Sequence, residues 1–410
     1  MLLWSFWPDP EGGAERQCRK LLQATAGRNV QYIVFTSRFA SKALPDEIDN
    51  GVRIFRFGFL TPWENKIRSK INSFVISALS RQFRGDIAER WAWNLVFWLT
   101  LPMRWVSRLI FILALKQWFS QNQKSVDVLH VHETGWLSGV GAWIGGKYQI
   151  PVLAKTSSFP ALPKLGYDVP LRGAWHKWRQ YCTFIAQHHG LAQEMVSAGI
   201  PKQRIFIVPN GVEIPESTAQ PEKDGPVLFV GNFSQGAHWK AFDILIQAWS
   251  TVHQQFPNTE LHLIGAGNAT HWKSFAAEIG CGQSIIFYGA IPDPHLHYRH
   301  SCLFILPSRI EGISNALLEA QSYGLPCVVS DIPGNRVIVE DGVNGLVVPV
   351  DNARELADAT IRLLKDSGLR TRLGRAAREK IMQEFSFQTV GEKLTGLYGA
   401  VSRHYRDSHK

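Results

Sequence analysis

The chain has 410 residues, of which 45% are hydrophobic and 19% charged, and its formal net charge is +10. This length predicts two or three domains, and the composition excludes a disordered chain and a polytopic membrane protein. Residues 1–200 hold 24 Lys and Arg against 13 Asp and Glu, and 12 of the 15 Trp, so the first half should face an anionic partner. Zinc-finger spacing, a basic recognition helix and an aromatic RNA-binding signature are all missing from the sequence, which argues against nucleic acid.

The five cysteines are odd in number, widely spaced and free of any CxxC pattern. Such a set favours a reducing, cytoplasmic compartment. Met1 is followed at once by an apolar run, without a basic leader or a small-residue cleavage site, so no secretory signal is expected. Residues 2–7 predict a first strand, which is short enough for the native start to lie upstream.

Gly12 and Gly13 form a loop between this first strand and the predicted first helix. Paired glycines lack a Cβ, so a phosphate or another backbone can approach closely. A plain turn is the alternative. The next predicted strands are residues 31–35 and 52–57.

Residues 61–125 form an aromatic, basic insertion. Its longest charge-free stretch, 91–103, is predicted to be too short to cross a bilayer, because Arg104, Arg108 and Lys116 interrupt the apolar residues after it. Apolar side chains with basic edges suit a helix lying on an anionic membrane surface. The alternative is a pair of buried helices in the core of the first domain.

Two histidines occur in the predicted strand 127–132. Strand alternation puts His130 and His132 on one face, with His132 nearer the carboxyl end, where parallel sheets bind ligands. A lone histidine there is more often structural than catalytic. Lys155 and Thr156, at the end of the next predicted strand at 151–155, offer further hydrogen-bond donors.

The second domain is predicted to begin after a strand at 205–208, at the turn that contains Asn210. A strand at 227–231 leads through Asn232 to Lys240, which precedes a helix. A lysine between a strand end and a helix start is positioned to neutralise a diphosphate. Gly265 and Gly267 are only two of three dinucleotide-fingerprint glycines, so nicotinamide binding is weakly supported.

The most informative segment comes after an apolar strand at 303–306 and carries Glu311 and Glu319, eight residues apart. A short helix is predicted after the strand, capped by Ser314 or Asn315. Backbone N–H groups at such a helix start bind phosphate oxygens, and carboxylates accept hydrogen bonds from hydroxyls. The segment therefore predicts half of a doubly wound α/β sheet that binds a nucleotide sugar.

This segment resembles the retaining glycosyltransferases of the GT-B fold, in the large family four, whose signature is Glu, seven residues, Glu. The matching residues are Glu311-Gly312, Asn315, Leu318-Glu319-Ala320, Gly324-Leu325-Pro326 and Gly342-Val343-Asn344-Gly345. The resemblance implies two Rossmann-like domains facing a cleft, at 1–208 and 209–384, and a C-terminal helix at 385–410 that crosses back to the first domain. It also implies chemistry without a metal, and no Asp-x-Asp motif is present.

The resemblance assigns roles to individual residues. His132, rather than His130, would contact the sugar near the reacting carbon, and Lys240 would stabilise the diphosphate. Glu311 would bind hexose hydroxyls and Glu319 the ribose. The predicted donor-binding set is Gly12, Gly13, Asn210, Asn232, Lys240, Glu311, Gly312, Ile313, Ser314, Asn315, Ala316 and Glu319.

Asn232 departs from the family, which commonly has an arginine at this position to share the work of Lys240. Either His238 compensates or the activity is weaker. The implied function is transfer of a hexose, with retention, from a UDP- or GDP-linked sugar to a hydroxyl of a glycan or lipid-linked acceptor. We expect a role in cell-surface polysaccharide or glycolipid biosynthesis, no cofactor, and a cytoplasmic protein peripheral on the inner face of the membrane.

Two other functions fit the same residues. The first is a nucleotide-sugar epimerase or phosphorylase on the same fold. The second is a non-catalytic sugar-binding scaffold subunit, which the asparagine at position 232 leaves open.

Overall fold

A computed structural model describes residues 1–6, 13–26, 30–38, 44–58, 66, 70, 86–156, 159–167, 169–219, 225–233 and 238–408. Two units are distinguished by their internal contacts. The first contains Met1–Ala186, Ala192–Ile207 and Glu392–Lys410, and the second contains Gln187–Leu191 and Val208–Gly391.

Strands and helices alternate along much of the chain. The strands are β1 Ile33–Ser37, β2 Asp46–Asp49, β3 Val52–Phe57, β4 Leu129–Val131, β5 Val152–Lys155, β6 Thr183–Ala186, β7 Ile205–Ile207, β8 Val227–Val230, β9 Leu261–Ile264, β10 Ile285–Gly289, β11 Leu303–Leu306, β12 Cys327–Ser330 and β13 Leu346–Val348. The α-helices are α1 Gly13–Thr25, α2 Asp86–Asn122, α3 Trp136–Tyr148, α4 Arg172–Arg179, α5 His189–Ser197, α6 Phe242–Gln255, α7 Thr270–Glu278, α8 His295–His300, α9 Asn315–Ser322, α10 Pro333–Ile338, α11 Ala353–Lys365, α12 Ser367–Glu384 and α13 Phe387–Ser408. Single 3₁₀ turns are Gln123–Ser125, Lys202–Arg204, His238–Lys240 and Gly282–Ser284.

The first unit is built on strands in the orders β1-β3-β2 and β4-β5-β6-β7. Leu2 joins them, because it forms parallel bridges to Phe35 on one side and to Val131 on the other. Its N–H donates to the His130 oxygen at 2.7 Å. The predicted first strand is thus a short central segment, and Trp7, its last predicted residue, lies outside the described residues.

Apolar side chains cover the face of this sheet that packs against α1. Cys18 and Leu22 of α1 pack with Val34 and Ile54 of the strands, and Tyr398 of α13 packs against the same cluster. Burial of such side chains is the main stabilising contribution to a sheet of this kind. The part of α13 that contains Tyr398 therefore packs on the core of the first unit.

The insertion contains one long helix, α2, in which a buried face and an exposed apolar face run side by side. The buried face includes Phe111, Leu115 and Phe119. The exposed apolar residues, at 44% to 58% exposure, are Leu95, Trp98, Leu99, Trp105, Val106, Leu109 and Leu113. They recur every three or four residues, so they form one continuous stripe along the helix.

This stripe corrects two expectations. A buried pair of helices is wrong for the described part of the insertion, because the stripe faces outward. The expectation that the apolar stretch of the insertion is too short to cross a bilayer is also wrong. By length and composition alone, Leu95–Ser125 is long and apolar enough to span a membrane, and 28% of its apolar window is buried. A span tolerates a few charges, whereas the expectation counted only the charge-free stretch.

The second unit is a six-stranded parallel sheet in the order β10-β9-β8-β11-β12-β13. Its strands are almost wholly apolar because helices cover both faces. The strand order reverses between β8 and β11, which are hydrogen-bonded neighbours. In open α/β sheets, ligands bind at such a reversal, outside the carboxyl ends of the strands.

The predicted α/β class is confirmed in both units, and all of the described strand pairs are parallel except that of β2 with β3, which is antiparallel. The predicted strands from residue 31 onward, which include two at 261–264 and 327–330, each have an observed counterpart, whereas the predicted strand at 2–7 is represented only by the bridges of Leu2. Four further strands were missed in the sequence, namely β2, β6, β10 and β13.

Candidate functional site

The reversal point of the second unit brings Lys240 and Glu311 together. Lys240 closes the 3₁₀ turn after β8, and Glu311 lies in the loop after β11. Lys240 Nζ is 2.6 Å from Glu311 Oε1, and the Ser308 hydroxyl donates to the same oxygen at 2.7 Å. The two charged side chains are only 15% and 13% exposed. In the described parts of the chain nothing donates to Glu311 Oε2, so this oxygen remains to accept from a ligand hydroxyl.

Arg309 fixes the turn that carries Lys240. The sequence did not reveal these contacts of Arg309. Its guanidinium pairs with Asp243 at 2.7 Å and with Asp351 at 2.6 Å, and it donates to the His238 backbone oxygen at 2.6 Å. The hydrogen bond with Asp243 is the largest cause that raises the pKa of Arg309. Lys240 is therefore held by a turn that is tied to the loop of Glu311.

Ser314 is the N-cap of α9, and its hydroxyl accepts from the Leu317 N–H at 3.4 Å. Gly312, just before it, lies against α10, where a Cβ on Gly334 would be 1.9 Å from the Gly312 oxygen. Ala316 is half-buried in the first turn of α9. Local sequence therefore accounts for the helix start and for the tight backbone beside it.

A network of side-chain amides holds the loop just before α9. Gln187 Oε1 accepts from the Ile313 N–H at 2.7 Å, and Gln187 Nε2 donates to Asn210 Oδ1 at 3.3 Å. Asn210 Nδ2 donates to Asn315 Oδ1 at 2.9 Å and to the Ile313 oxygen at 3.3 Å. Gln187 and Asn210 are buried. Ile313 belongs to the predicted donor-binding set, and its N–H is occupied by Gln187.

Glu319 lies within α9 and is half-buried. The Tyr298 hydroxyl donates to its Oε2 at 2.9 Å, and the Tyr298 ring stacks on Tyr323 with centroids 5.7 Å apart.

Asn232 and His238 are exposed in the loop after β8, whereas Lys240 at the end of that loop is half-buried.

His132 follows β4 in the first unit and is half-buried. Its ring stacks on that of His130 at 4.3 Å, and His130 Nδ1 is 2.7 Å from the Tyr398 hydroxyl. Burial, followed by the positive charges of Lys155 and the chain's amino terminus, holds the pKa of His132 well below its ordinary value. His132 is therefore neutral at pH 7.

The sequence did not reveal two further charged side chains near the end of β4, those of Arg108 and Glu133. The Arg108 guanidinium lies 5.6 Å from the Trp4 ring and 5.3 Å from the Trp136 ring. Glu133 accepts from the Leu137 N–H at 2.5 Å, and burial raises the pKa of Glu133 to about 7.

Of the two predicted glycines, Gly13 is the exposed first residue of α1, and Gly12 lies outside the described residues.

Two family descriptions match this chain. Glycosyltransferase Family 4 matches residues 11–215, and Glycosyl transferases group 1 matches residues 225–366. Together they match most of the chain and reach into both units.

Curated relatives agree with these descriptions. A phosphatidyl-myo-inositol mannosyltransferase of Mycobacterium leprae is 26% identical over 285 residues, which is 67% of this chain and 74% of that protein. A lipopolysaccharide 1,6-galactosyltransferase of Salmonella typhimurium is 30% identical over 184 residues, 42% of this chain and 50% of that protein.

Solved structures share the fold. Anabaena HepE in complex with UDP-glucose has a TM-score of 0.68 at 16% identity, over 97% of this chain and 98% of its own. Sucrose-phosphate synthase from Thermosynechococcus elongatus has a TM-score of 0.68 at 20% identity, over 95% of this chain and 94% of its own.

Proposed function

The chain belongs to the family 4, group 1 glycosyltransferases of the GT-B fold, and from that membership we propose that it transfers a hexose from a UDP- or GDP-linked sugar to a hydroxyl of a glycan or lipid-linked acceptor. The configuration at the anomeric carbon is retained, and no metal takes part. The product enters a cell-surface polysaccharide or a glycolipid.

The contact between Lys240 and Glu311 carries this proposal. Lys240 stabilises the diphosphate as it leaves, because a fixed cation gains most where negative charge develops. Glu311 Oε2 accepts from hydroxyls of the hexose, and Glu319 accepts from the ribose. The N–H groups at the start of α9 add hydrogen bonds to the phosphate oxygens.

The remaining roles rest on the family resemblance. Attack from the front face, assisted by the leaving phosphate, requires no protein nucleophile. His132 contacts the transferred sugar as a neutral hydrogen-bonding group, in keeping with its depressed pKa. Gly13 and its neighbour Gly12 approach a phosphate through the backbone.

For a lipid-linked acceptor, the first unit docks on an anionic membrane surface from the cytoplasmic side. The stripe on α2 supports this, because an exposed apolar face that includes Trp98 and Trp105 suits the headgroup level of a bilayer. The names of two relatives agree, since one acts on phosphatidyl-myo-inositol and the other on lipopolysaccharide.

A donor screen followed by a transfer assay tests the proposal. We expect one UDP- or GDP-sugar to raise the melting temperature and to yield a glycosylated lipid-linked product in the presence of EDTA, with the anomeric configuration of the donor by NMR. Inversion or a need for metal would contradict the mechanism. Donor turnover without acceptor would favour the epimerase or phosphorylase, and donor binding without any product would favour the scaffold subunit.

A further inference from the structure

Lys155 is a buried lysine that has no anionic partner among the residues that the structure describes. It is the last residue of β5, and only 7% of it is exposed. Within those described residues, its ammonium makes no hydrogen bond and no ion pair. Burial lowers its pKa to about 8, which still leaves it mostly protonated at neutral pH.

The strand register places Lys155 beside His132. Val131 of β4 pairs with Ala154 of β5, so the next residue of each chain segment, His132 and Lys155, also lie side by side. Residues paired in parallel strands point to the same face of the sheet. After burial, which is the largest cause, the charge of Lys155 accordingly depresses the pKa of His132.

The first helix covers the same face. Cys18 of α1 is fully buried and contributes to the pKa of Lys155, which places the two side chains near each other. The helix starts at Gly13, one and a half turns before Cys18. Its N-terminus, with the partial positive charge of a helix start, therefore belongs to the same end of the unit as Lys155.

An unpaired buried ammonium is unfavourable for folding, and an apolar side chain of similar size would be more stable at this position. The Lys155 ammonium lies at the carboxyl end of a parallel strand, where ligands bind. It is next to His132 and near the N-terminus of α1. We infer that Lys155 binds a phosphate oxygen of a substrate, supplied either by the nucleotide diphosphate or by a diphosphate-linked lipid acceptor. This inference deepens the proposed function and rests on it for the identity of the substrates.

The test compares Lys155→Met with Lys147→Met. Methionine keeps the length of the side chain and removes the charge, and Lys147 is an exposed lysine near the end of α3 in the same unit. Binding of UDP, GDP and farnesyl diphosphate is measured by calorimetry, and each variant is melted. Lys155→Gln is measured in parallel in case the methionine variant fails to fold.

We expect Lys155→Met to bind at least one of the three probes about tenfold more weakly, the loss typical of a charged hydrogen bond. Its melting temperature should equal or exceed that of the wild type, and Lys147→Met should behave as the wild type. Weaker binding of the nucleotides assigns the phosphate to the donor, and weaker binding of farnesyl diphosphate assigns it to the acceptor.

Three results would overturn the inference: unchanged affinity for all three probes, no binding by the wild type, or a lower melting temperature that accompanies equal losses for every probe. Sugar transfer is not used as a readout. A wild type that binds these probes but transfers no sugar would refute the proposed function and leave the role of Lys155 standing.

Discussion

Lys240 Nζ lies 2.6 Å from Glu311 Oε1 across 71 residues of sequence. The pair keeps the ammonium in place before any ligand binds, since both side chains are mostly buried. A preorganised cation stabilises a leaving diphosphate more than a mobile one does, because it does not reorganise during the reaction. Glu311 thus has two functions in our proposal, to position the cation and to bind the sugar.

The first prediction concerns the cation. Lys240→Met should lower kcat by about 100-fold or more, because no described residue nearby replaces its charge at Glu311. Asn232→Arg should leave turnover unchanged or raise it, by restoring the arginine of the family. Turnover by purified variants decides this, with the exposed Lys273→Met as the control. If Lys240→Met keeps most of its turnover, the charge comes from elsewhere and His238 is tested next.

The second prediction concerns the carboxylates. Glu311→Gln and Glu319→Gln should each lower transfer at least about tenfold, because a charged acceptor of hydrogen bonds becomes a neutral one. The melting temperature of Glu319→Gln should change little, since glutamine keeps the shape of the side chain, whereas that of Glu311→Gln should fall, because the mostly buried Lys240 loses its anionic partner. Steady-state kinetics and thermal melts are the measurements, with the exposed Glu278→Gln as the matched control. Full activity in either variant would remove that glutamate from the site.

Sequence alone located most of the elements that carry the candidate site residues of the second unit, because the signals of these elements are local. A continuous apolar run predicts β11, and Ser314 followed by apolar residues predicts the start of α9. The missed strands have weaker signals. Strand β2 is made of Asp, Glu, Ile and Asp, and it is an exposed edge strand, so neither alternation nor an apolar run marks it.

The contacts of Gln187 and Arg309 could not be predicted, because they depend on tertiary structure. Gln187 is 126 residues from Ile313, and Arg309 is 66 residues from Asp243. No spacing rule connects such positions. For α2 the sequence left two alternatives open, a helix on a membrane surface and a buried helix pair, because a long apolar segment has the same composition whether it is core or surface.

The third prediction concerns the amide network. Gln187→Ala should lower the free energy of unfolding by about 1–3 kcal/mol, because the Ile313 N–H loses its partner in a buried position. It should also raise KM for the donor, since the loop before α9 is less well fixed. Urea denaturation and donor kinetics measure both effects, and the exposed Gln193→Ala is the control. An unchanged stability would show that water satisfies this N–H equally well.

The fourth prediction is a pH dependence of stability at Lys155, whose pKa burial lowers from 10.5 to about 8. Below pH 8 both the folded and the unfolded lysine are protonated, and the folded state carries the full penalty, on the order of 3 kcal/mol. Between about pH 8 and 10.5 the unfolded chain binds more protons, so the penalty disappears as pH rises. Lys155→Met should therefore be more stable than the wild type at pH 7, by a margin that shrinks towards pH 10.

Urea denaturation of both proteins at three pH values measures this margin. The groups facing Lys155 are His130 and His132, the amino terminus of Met1, and Cys18, with Tyr398 behind His130. Burial lowers the pKa of the amino terminus to about 6, and both histidines have pKa values well below their ordinary range, so these groups are uncharged across this window. They are present in both proteins, so the difference reports Lys155 together with its electrostatic coupling to Cys18. A stability difference between the two proteins that is constant with pH would contradict a lowered pKa of Lys155 in the folded state.

The last prediction tests docking through the stripe on α2. Arg104 and Arg108 are poor choices for substitution, because Arg108 packs over Trp4 and Trp136 and its loss would disturb the first unit. Leu99 and Leu109 are 57% and 45% exposed, so Leu99→Glu with Leu109→Glu removes the apolar contact without opening a core. Each buried leucine contributes about 1.5–3 kcal/mol, and each new glutamate is repelled by an anionic surface.

The double variant should therefore lose co-sedimentation with anionic vesicles almost completely, while its melting temperature stays within a few degrees. Leu296→Glu, at an equally exposed leucine of the second unit, should still sediment with them. Added salt should weaken wild-type binding only in part, because screening acts on the basic residues and leaves the apolar contact intact. Wild-type protein that ignores anionic vesicles at low salt would show that the stripe meets another partner, and a soluble acceptor would then fit the enzyme better.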